Sequence, residues 1–469
     1  MALVDFSSQL GAAGSVPDLA RLLGKACMER ADELSLMRRD AQTKTELERI
    51  ELGVAEVPLA TWEEVIRAPS LLEERIGPDL VALIWSARAR QPLDFFGVLR
   101  GLCRKPLATV YATTVDQIEL SQGTPVRFAT RPLKFKPTTK QMKLNRNSLL
   151  YPYPYSLFPY SSREQLRVIL DFAHRDRLDD LTWDKEDGLS RIATIHPARG
   201  GEIEYSPPEN GRIFDVRPKH WDPDAILNLL SEVREEVAIA VLPELSLPTP
   251  GALEQALAEE PGAYPPIVVA GSAHCREGVG DDGSEIRANE SRVYLDGRCV
   301  AIAHKHHSYE GDDEGEERES PQEPEEERLE EPEEETLTED LTEEPKTILV
   351  LSGARTRVAV IICADALDLQ IPRLLVSAGV NLLLIPAMTR QSGSFSTVLG
   401  DIAGYCQGVG AVANARFVED GEPFLCFAAA PRPEPAKQLA PLTGKGIKPL
   451  PQIGIFDPNR PLPGAVSWR

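Results

Sequence analysis

Val237-Ala238-Ile239-Ala240-Val241-Leu242-Pro243-Glu244 is the stretch from which the fold is read. Six apolar residues, three of them β-branched and closed by a proline, are too few for an ordinary helix and read as a strand buried on both faces. The flanking sequence agrees. Upstream, Ser190-Arg191-Ile192-Ala193-Thr194-Ile195 is an earlier strand, and Asp224-Ala225-Ile226-Leu227-Asn228-Leu229-Leu230 opens an amphipathic helix. Downstream, Ile267-Val268-Val269-Ala270-Gly271-Ser272 is a third strand. Arg292-Val293-Tyr294-Leu295 and Cys299-Val300-Ala301-Ile302-Ala303 flank Asp296-Gly297, a dipeptide that favours the tight hairpin turns. Val358-Ala359-Val360-Ile361-Ile362 and Leu382-Leu383-Leu384-Ile385 complete the set. Between them, 371–379 reads as a helix with Gly379 where a terminating glycine is expected. Short apolar runs alternating with helical segments predict an α/β domain from residue 188 onward.

Three of these runs end in a reactive side chain. The run 237–242 leads into Pro243-Glu244, 299–303 into His304-Lys305, and 358–362 into Cys363-Ala364-Asp365. In open α/β sheets ligands sit beyond the carboxyl ends of strands, where side chains from separate strands converge. The chemistry wants this trio. A thiol is mostly protonated at neutral pH, and attack on a carbonyl or nitrile carbon needs the thiolate. A carboxylate in reach accepts that proton and later returns it to a leaving amine. An ammonium, with a backbone N–H such as that of Ala364, stabilises the oxyanion that develops.

These residues resemble the nitrilase, or carbon–nitrogen hydrolase, superfamily. Leu242-Pro243-Glu244 resembles that family's setting for its general base. Asn289 to Arg298 followed by His304-Lys305-His306-His307 resembles the hairpin leading into its catalytic lysine. Ile361-Ile362-Cys363-Ala364-Asp365 resembles its nucleophile turn, followed by a matching helix–strand unit in Pro372-Arg373 and 378–386. Gln407 to Asn414 resembles a later strand ending in asparagine. The resemblance covers about 188–430. It implies an α-β-β-α sandwich and an amidase-type hydrolase with Cys363 as nucleophile, Glu244 as base and Lys305 as oxyanion stabiliser. It also implies a small-molecule amide substrate and assembly as a homodimer or higher homo-oligomer. A second glutamate commonly follows the lysine in that family, and Glu310 is the expected match, with Glu314 or Glu316 as alternatives. True nitrilases favour tryptophan after the cysteine; Ala364 stands there instead, which favours an amide over a nitrile.

His304, His306 and His307 invite a metal, but they flank the positive charge of Lys305, and neither a metal nor a cofactor is expected. A Cys363 pair with His196 or His274 has nothing in its spacing to favour it over Glu244. A reading from another class makes the chain a regulatory or ligand-sensing protein, with the N-terminal region as a partner- or nucleic-acid-binding output.

The remainder of the chain sets the context. Its 469 residues suffice for two or three domains, and 42% hydrophobic and 26% charged residues match an ordinary soluble protein. Residues 1–187 are expected to form a mainly helical N-terminal domain, and 188–469 the hydrolase-like domain. Val16-Pro17-Asp18 opens one apolar helical pattern and 80–85 another. The stretch 127–146 is basic and acid-free, and the Tyr-Pro run 151–155 follows it. A solvated surface is a better reading of that stretch than nucleic-acid binding. The net charge of −22 is mostly local: residues 310–344 hold 20 acids and 2 arginines, so the rest of the chain carries only −4. That insert is expected to be disordered. The proline-rich last forty residues read as an extended arm. The seven cysteines are scattered and odd in number, without a C-x-x-C pair, which argues for a reducing compartment. Without a signal-like N-terminus or a membrane-length apolar run, the cytoplasm is the expected location and no membrane partner is expected.

Overall fold

Period-two alternation decides how the strands stack. In the strand Leu382–Ala387, Leu382 and Leu384 face one core while Leu383 and Ile385 face another. The strand Arg357–Val360 and its extension do the same, with Val358 and Val360 on one side and Ala359 and Ile361 on the other. In the strand Ile239–Val241, Ile239 and Val241 join the core of Leu382 and Leu384, whereas Ala240 and Leu242 point the opposite way. The shared core therefore lies between two sheets, and each sheet has a second apolar face that helices cover.

The computed structural model describes residues 6–30, 41–86, 93–103, 116–127, 155–159, 166–182, 189–197, 202–205, 212–279, 285–308, 338–342, 346–368, 370–389, 395–406, 408–415, 424–430, 439–443, 452–460 and 466–468. The first sheet has eight strands in the order Gln117–Leu120, Leu166–Asp171, Lys346–Ser352, Arg357–Val360, Leu382–Ala387, Val409–Asn414, Phe424–Ala429, Leu439–Thr443. The second runs Ala273–Val279, Glu285–Leu295, Ile267–Val269, Ile239–Val241, Ile192–Ile195, Ile453–Phe456, Val466–Trp468, and Arg298–His304 also pairs with Glu285–Leu295. The helices Ile371–Ser377 and Phe395–Tyr405 pack on the outer face of the first sheet, and Pro223–Val233 and Glu254–Glu259 on that of the second. The layering is the expected α-β-β-α.

Local signals act as read. Asp222 caps Pro223–Val233 by accepting the Ala225 N–H at 3.0 Å, with Pro223 in the first turn. Asp296 and Gly297 take φ of 48° and 77°, the left-handed pair that a tight hairpin needs. Gly379 (φ 72°) ends its helix, donating to the Val376 carbonyl while Val380 donates to that of Leu375.

Three boundaries differ from expectation. The division at 187/188 falls inside the α/β body, because Leu166–Asp171 pairs in parallel with Lys346–Ser352 and antiparallel with Gln117–Leu120. The helices between Phe6 and Cys103 have their own core, around Leu19, Leu23, Ile50, Trp62, Phe96 and Leu99. The last forty residues are more than an arm: Ile453–Phe456 is buried and pairs with Ile192–Ile195. Finally, the expected disorder over 310–344 does not hold at its end, where Thr338–Glu339 pairs with Arg212–Ile213. Residues 309–337 lie outside the described residues, as does the basic stretch beyond Arg127.

Gly271 is one glycine the architecture requires. Its φ is 69°, and a Cβ there would overlap the Ser246 hydroxyl and the Pro243 carbonyl oxygen. The substitution Gly271→Ala should therefore cost about 2 kcal/mol or more, read as a lower urea midpoint with an unchanged m-value.

Candidate active site

The three residues singled out at strand ends meet. Glu244 and Lys305 come from the second sheet, and Cys363 from the first. The Lys305 ammonium donates to Glu244 Oε1 at 2.8 Å, and the Cys363 thiol lies close enough for the charges of both to act on it. All three are buried. A fourth member arrives from the end of the acidic insert: Glu339 Oε2 accepts from Lys305 Nζ at 2.5 Å. Glu339 is thus the carboxylate beside the lysine. Glu310, expected in that place, lies outside the described residues, as do Glu314 and Glu316.

The backbone at two of these positions is strained. Cys363 (φ 42°) begins the 3-10 turn Cys363–Ala366, and Leu245 (φ 51°) follows Glu244 directly. Non-glycine residues hold this conformation only where surroundings over-determine it. For Glu244 those surroundings are visible: its N–H donates to the Ala387 carbonyl, the Leu245 N–H to Ser272 Oγ, and Ser246 Oγ to the Pro243 carbonyl. The Met388 N–H stands near the Cys363 sulfur and favours its anion. Asn414, at the end of its strand, fixes the next residue, its Oδ1 accepting the Thr389 N–H at 2.9 Å and its Nδ2 donating to the Thr389 carbonyl at 2.8 Å.

Asp365 ties the two sheets together at the site. It is buried two residues after Cys363, yet its carboxylate accepts the backbone N–H groups of His306 and His307, at 2.9 to 3.0 Å. The loop that follows Lys305 is therefore held by the turn that carries Cys363. His307 adds side-chain contacts, Nδ1 to Asp365 at 3.1 Å and Nε2 to Asp368 at 3.0 Å. Ala364 lies in the same turn, one residue from the thiol.

Asn289 joins both carboxylates. Its Nδ2 donates to Glu244 Oε1 at 3.2 Å and to Glu339 Oε1 at 3.0 Å, which also sets its amide orientation. His274 reaches Glu339 Oε1 through Nε2 at 2.8 Å. The ring nitrogens of His196 contact the Asn414 carbonyl and Thr194 Oγ1.

The charges follow. Burial pushes the Cys363 thiol well up, and adjacent Glu244 adds to this against the opposing pull of Lys305. Burial likewise raises Glu244, helped by Glu339 and opposed by Lys305. On Glu339 burial is overcome by the Lys305 ammonium and His274, which hold its carboxyl well below the usual range. Burial disfavours the Lys305 ammonium, but the two carboxylates more than compensate and keep it charged. Two carboxylates with proton affinities pushed apart have separate tasks available, one as proton acceptor and one as fixed anion.

Sequence reading did not single out Glu339, and gave Asn289 and Asp365 no separate role. The signal for Glu339 is faint: in 337–342, Leu-Thr-Glu-Asp-Leu-Thr, β-forming and apolar residues return after an almost unbroken acidic run. Asn289 and Asp365 sit inside quoted motifs, but only folding shows what they touch.

No protein-family model and no curated protein matches the sequence. Among solved structures, similarity is found to a mutant of the Nesterenkonia AN1 amidase from the nitrilase superfamily, at 18% identity and TM-score 0.33 over 57% of this chain and 89% of that one. It is also found to the glutamine-dependent NAD+ synthetase of Acinetobacter baumannii, at 14% identity and TM-score 0.33 over 57% and 45%. Saccharomyces cerevisiae Nit3, a member of branch 10 of the nitrilase superfamily, matches at 13% identity and TM-score 0.31 over 53% and 84%. Among the described residues, no helix is long and apolar enough to cross a membrane.

Lys305 pairs with both acids, so Lys305→Met strands two buried carboxylates and should destabilise the fold by about 3–5 kcal/mol at neutral pH. Without the ammonium both carboxyl pKa values rise above their unfolded values. Such groups favour the folded state at low pH, so the deficit should shrink on moderate acidification. Urea denaturation at a series of pH values checks both the size and the sign.

Proposed function

We propose that this chain is a carbon–nitrogen hydrolase of the nitrilase type, acting on a small-molecule amide through a thioester on Cys363. The observation that carries the reading is the Glu244 carboxylate held by Lys305 at 2.8 Å, with the buried Cys363 thiol close enough for both charges to act on it. Nucleophile, base and electrophile thus share one buried setting, where electrostatic interactions are strong. The sequence motifs support the same reading.

The reaction runs in two halves. As the amide carbon meets Cys363 Sγ, the thiol proton passes to Glu244 and the C–S bond forms. Negative charge collects on the carbonyl oxygen, which the Lys305 ammonium and the Ala364 N–H stabilise. Collapse expels the amine, protonated by Glu244, and leaves the acyl group on sulfur. Water then adds to the thioester as Glu244 takes its proton. The second collapse releases the carboxylic acid and returns the proton to Cys363. The high proton affinity of Glu244 suits it to this shuttle. The anionic state of Glu339 suits it to hold Lys305 throughout. Ala364 in place of a bulkier neighbour supports an amide rather than a nitrile.

The test is acid-quenched intact mass spectrometry with a panel of primary amides, alongside ammonia release. Wild type is expected to gain the mass of the acyl group and to release ammonia, and Cys363→Ala to do neither. Lys305→Arg, which keeps the charge but not its placement, should slow release on the order of 100-fold. Ammonia release that persists unchanged in Cys363→Ala contradicts the proposal.

A further inference from the structure

The two carboxylates beside Lys305 pose a problem of proton traffic. When Cys363 gives up its proton, Glu244 is the productive acceptor, but Glu339 lies in the same cluster on the far side of the ammonium. Asn289 treats the two alike, donating to one oxygen of each. Lys305 also binds both. His274 breaks the symmetry: it donates to Glu339, at 2.8 Å, as a third donor.

The histidine is held so that it acts as a donor. The Val216 backbone N–H points at Nδ1 at 3.2 Å, so Nδ1 accepts and the ring's proton resides on Nε2, facing Glu339. The ring is stacked on Phe214, with centroids 4.9 Å apart and planes 11° from parallel. The guanidinium groups of Arg287 and Arg276 stand over the Phe214 ring at 5.2 and 5.9 Å. Both are paired with acids, Arg287 with Asp340 and Glu285, and Arg276 with Asp215 and Glu285. The segment that carries Glu339 is laced to the same strands: the Thr342 N–H donates to the Arg287 carbonyl, and the Asp340 N–H to that of Ile213. A buried, neutral imidazole with its tautomer fixed is thus built against the carboxylate that holds the lysine.

We propose that His274 is a positioning residue that, through its Nε2–H on Glu339, keeps Glu339 as the fixed anion of Lys305 and leaves Glu244 as the acceptor of the Cys363 proton. This rests on the proposed hydrolase reading. Around the His274–Glu339 pair the titratable groups are Lys305 from the end of its strand, Glu244 from the loop after Ile239–Val241, and Cys363 from the turn after Arg357–Val360. On the outer side stand Arg276, Arg287, Asp215, Glu285 and Asp340, paired as described. The low proton affinity of Glu339 agrees with the assignment. Removing the donor raises that affinity. Glu339 then draws more strongly on the shared Lys305 ammonium, which leaves less of it for Glu244 and raises the proton affinity of Glu244, the group that sets the acid limb.

The experiment follows alkylation of Cys363 by iodoacetamide in the full-length protein, resolved by peptide mass spectrometry so that exposed Cys299 is scored apart. In this step the sulfur displaces iodide, forming an S–CH2 bond, while the thiol proton leaves through Glu244. No knowledge of the natural substrate is needed. The acid limb of the rate–pH profile is expected to move up by about one pH unit in His274→Leu. His274→Asn, whose shorter amide stops near the Nδ1 position, should move it likewise. His274→Gln, whose amide reaches the Nε2 position, should keep the wild-type limb. Should the leucine variant fail to fold, the asparagine and glutamine pair decides. Superimposable profiles for wild type and His274→Asn overturn the proposal, and so does an equal shift in His274→Asn and His274→Gln, which marks a packing role. The underlying reading fails by a different sign: Glu244→Gln alkylating Cys363 as fast as wild type.

Discussion

A single ammonium group enclosed by two carboxylates is the interaction on which the site depends. Burying Lys305 alone would be prohibitive, and so would burying Glu244 or Glu339 without it. Together, with Asn289 and His274 donating to the carboxylates, they form a unit in which one ammonium is shared by two acids, the excess negative charge is spread over neutral donors, and the hydrogen bonds are largely met. Each member comes from a different place in the chain. The fold must therefore bring a loop after one strand, the end of another and the close of a long insert to one point before the cluster is tolerable. That requirement couples the reactivity of Cys363 to the assembly of the whole sandwich.

Cys363 comes from the opposite sheet, so the sheets must be held in register at the site. Asp365 does this from the first sheet, accepting the backbone of the lysine's loop. The residues after Leu382–Ala387 close the remaining side. Ala387 accepts from Glu244, the Met388 N–H stands near Cys363, and Thr389 is pinned by Asn414. Backbone strain at Cys363 and Leu245 sits where these restraints are densest. Positions fixed in this way need no reorganisation when a substrate arrives.

What the sequence disclosed follows from the physics of burial. Strands inside a two-sheet sandwich are apolar on both faces, so a polar residue where such a run stops stands out; Glu244, Lys305 and Cys363 were legible for that reason. Glu339 was not, because it is one of 20 acids in 310–344 and only pairing with Arg212–Ile213 distinguishes it. The edge strands Gln117–Leu120 and Leu166–Asp171 were hidden differently. Exposed positions such as Glu119 and Arg167, paired with each other at 3.0 Å, give them the mixed pattern of a surface segment. Ile453–Phe456 is four residues long within a proline-rich tail, too short for periodicity to speak. Asn289 and Asp365 show the other limit, since a motif names a residue without saying which neighbour it will meet.

The central claim is that Cys363 rests as a neutral thiol and yields its proton to Glu244 only when an acyl carbon arrives. Ultraviolet thiolate absorbance, taken as the difference between wild type and Cys363→Ala and titrated from neutral to alkaline pH, tests this directly. No thiolate signal is expected at neutral pH, and it should appear only on the alkaline side, as burial and Glu244 dictate. A full thiolate signal at neutral pH would mean that Cys363 and Lys305 form an ion pair at rest, and would contradict the role given to Glu244.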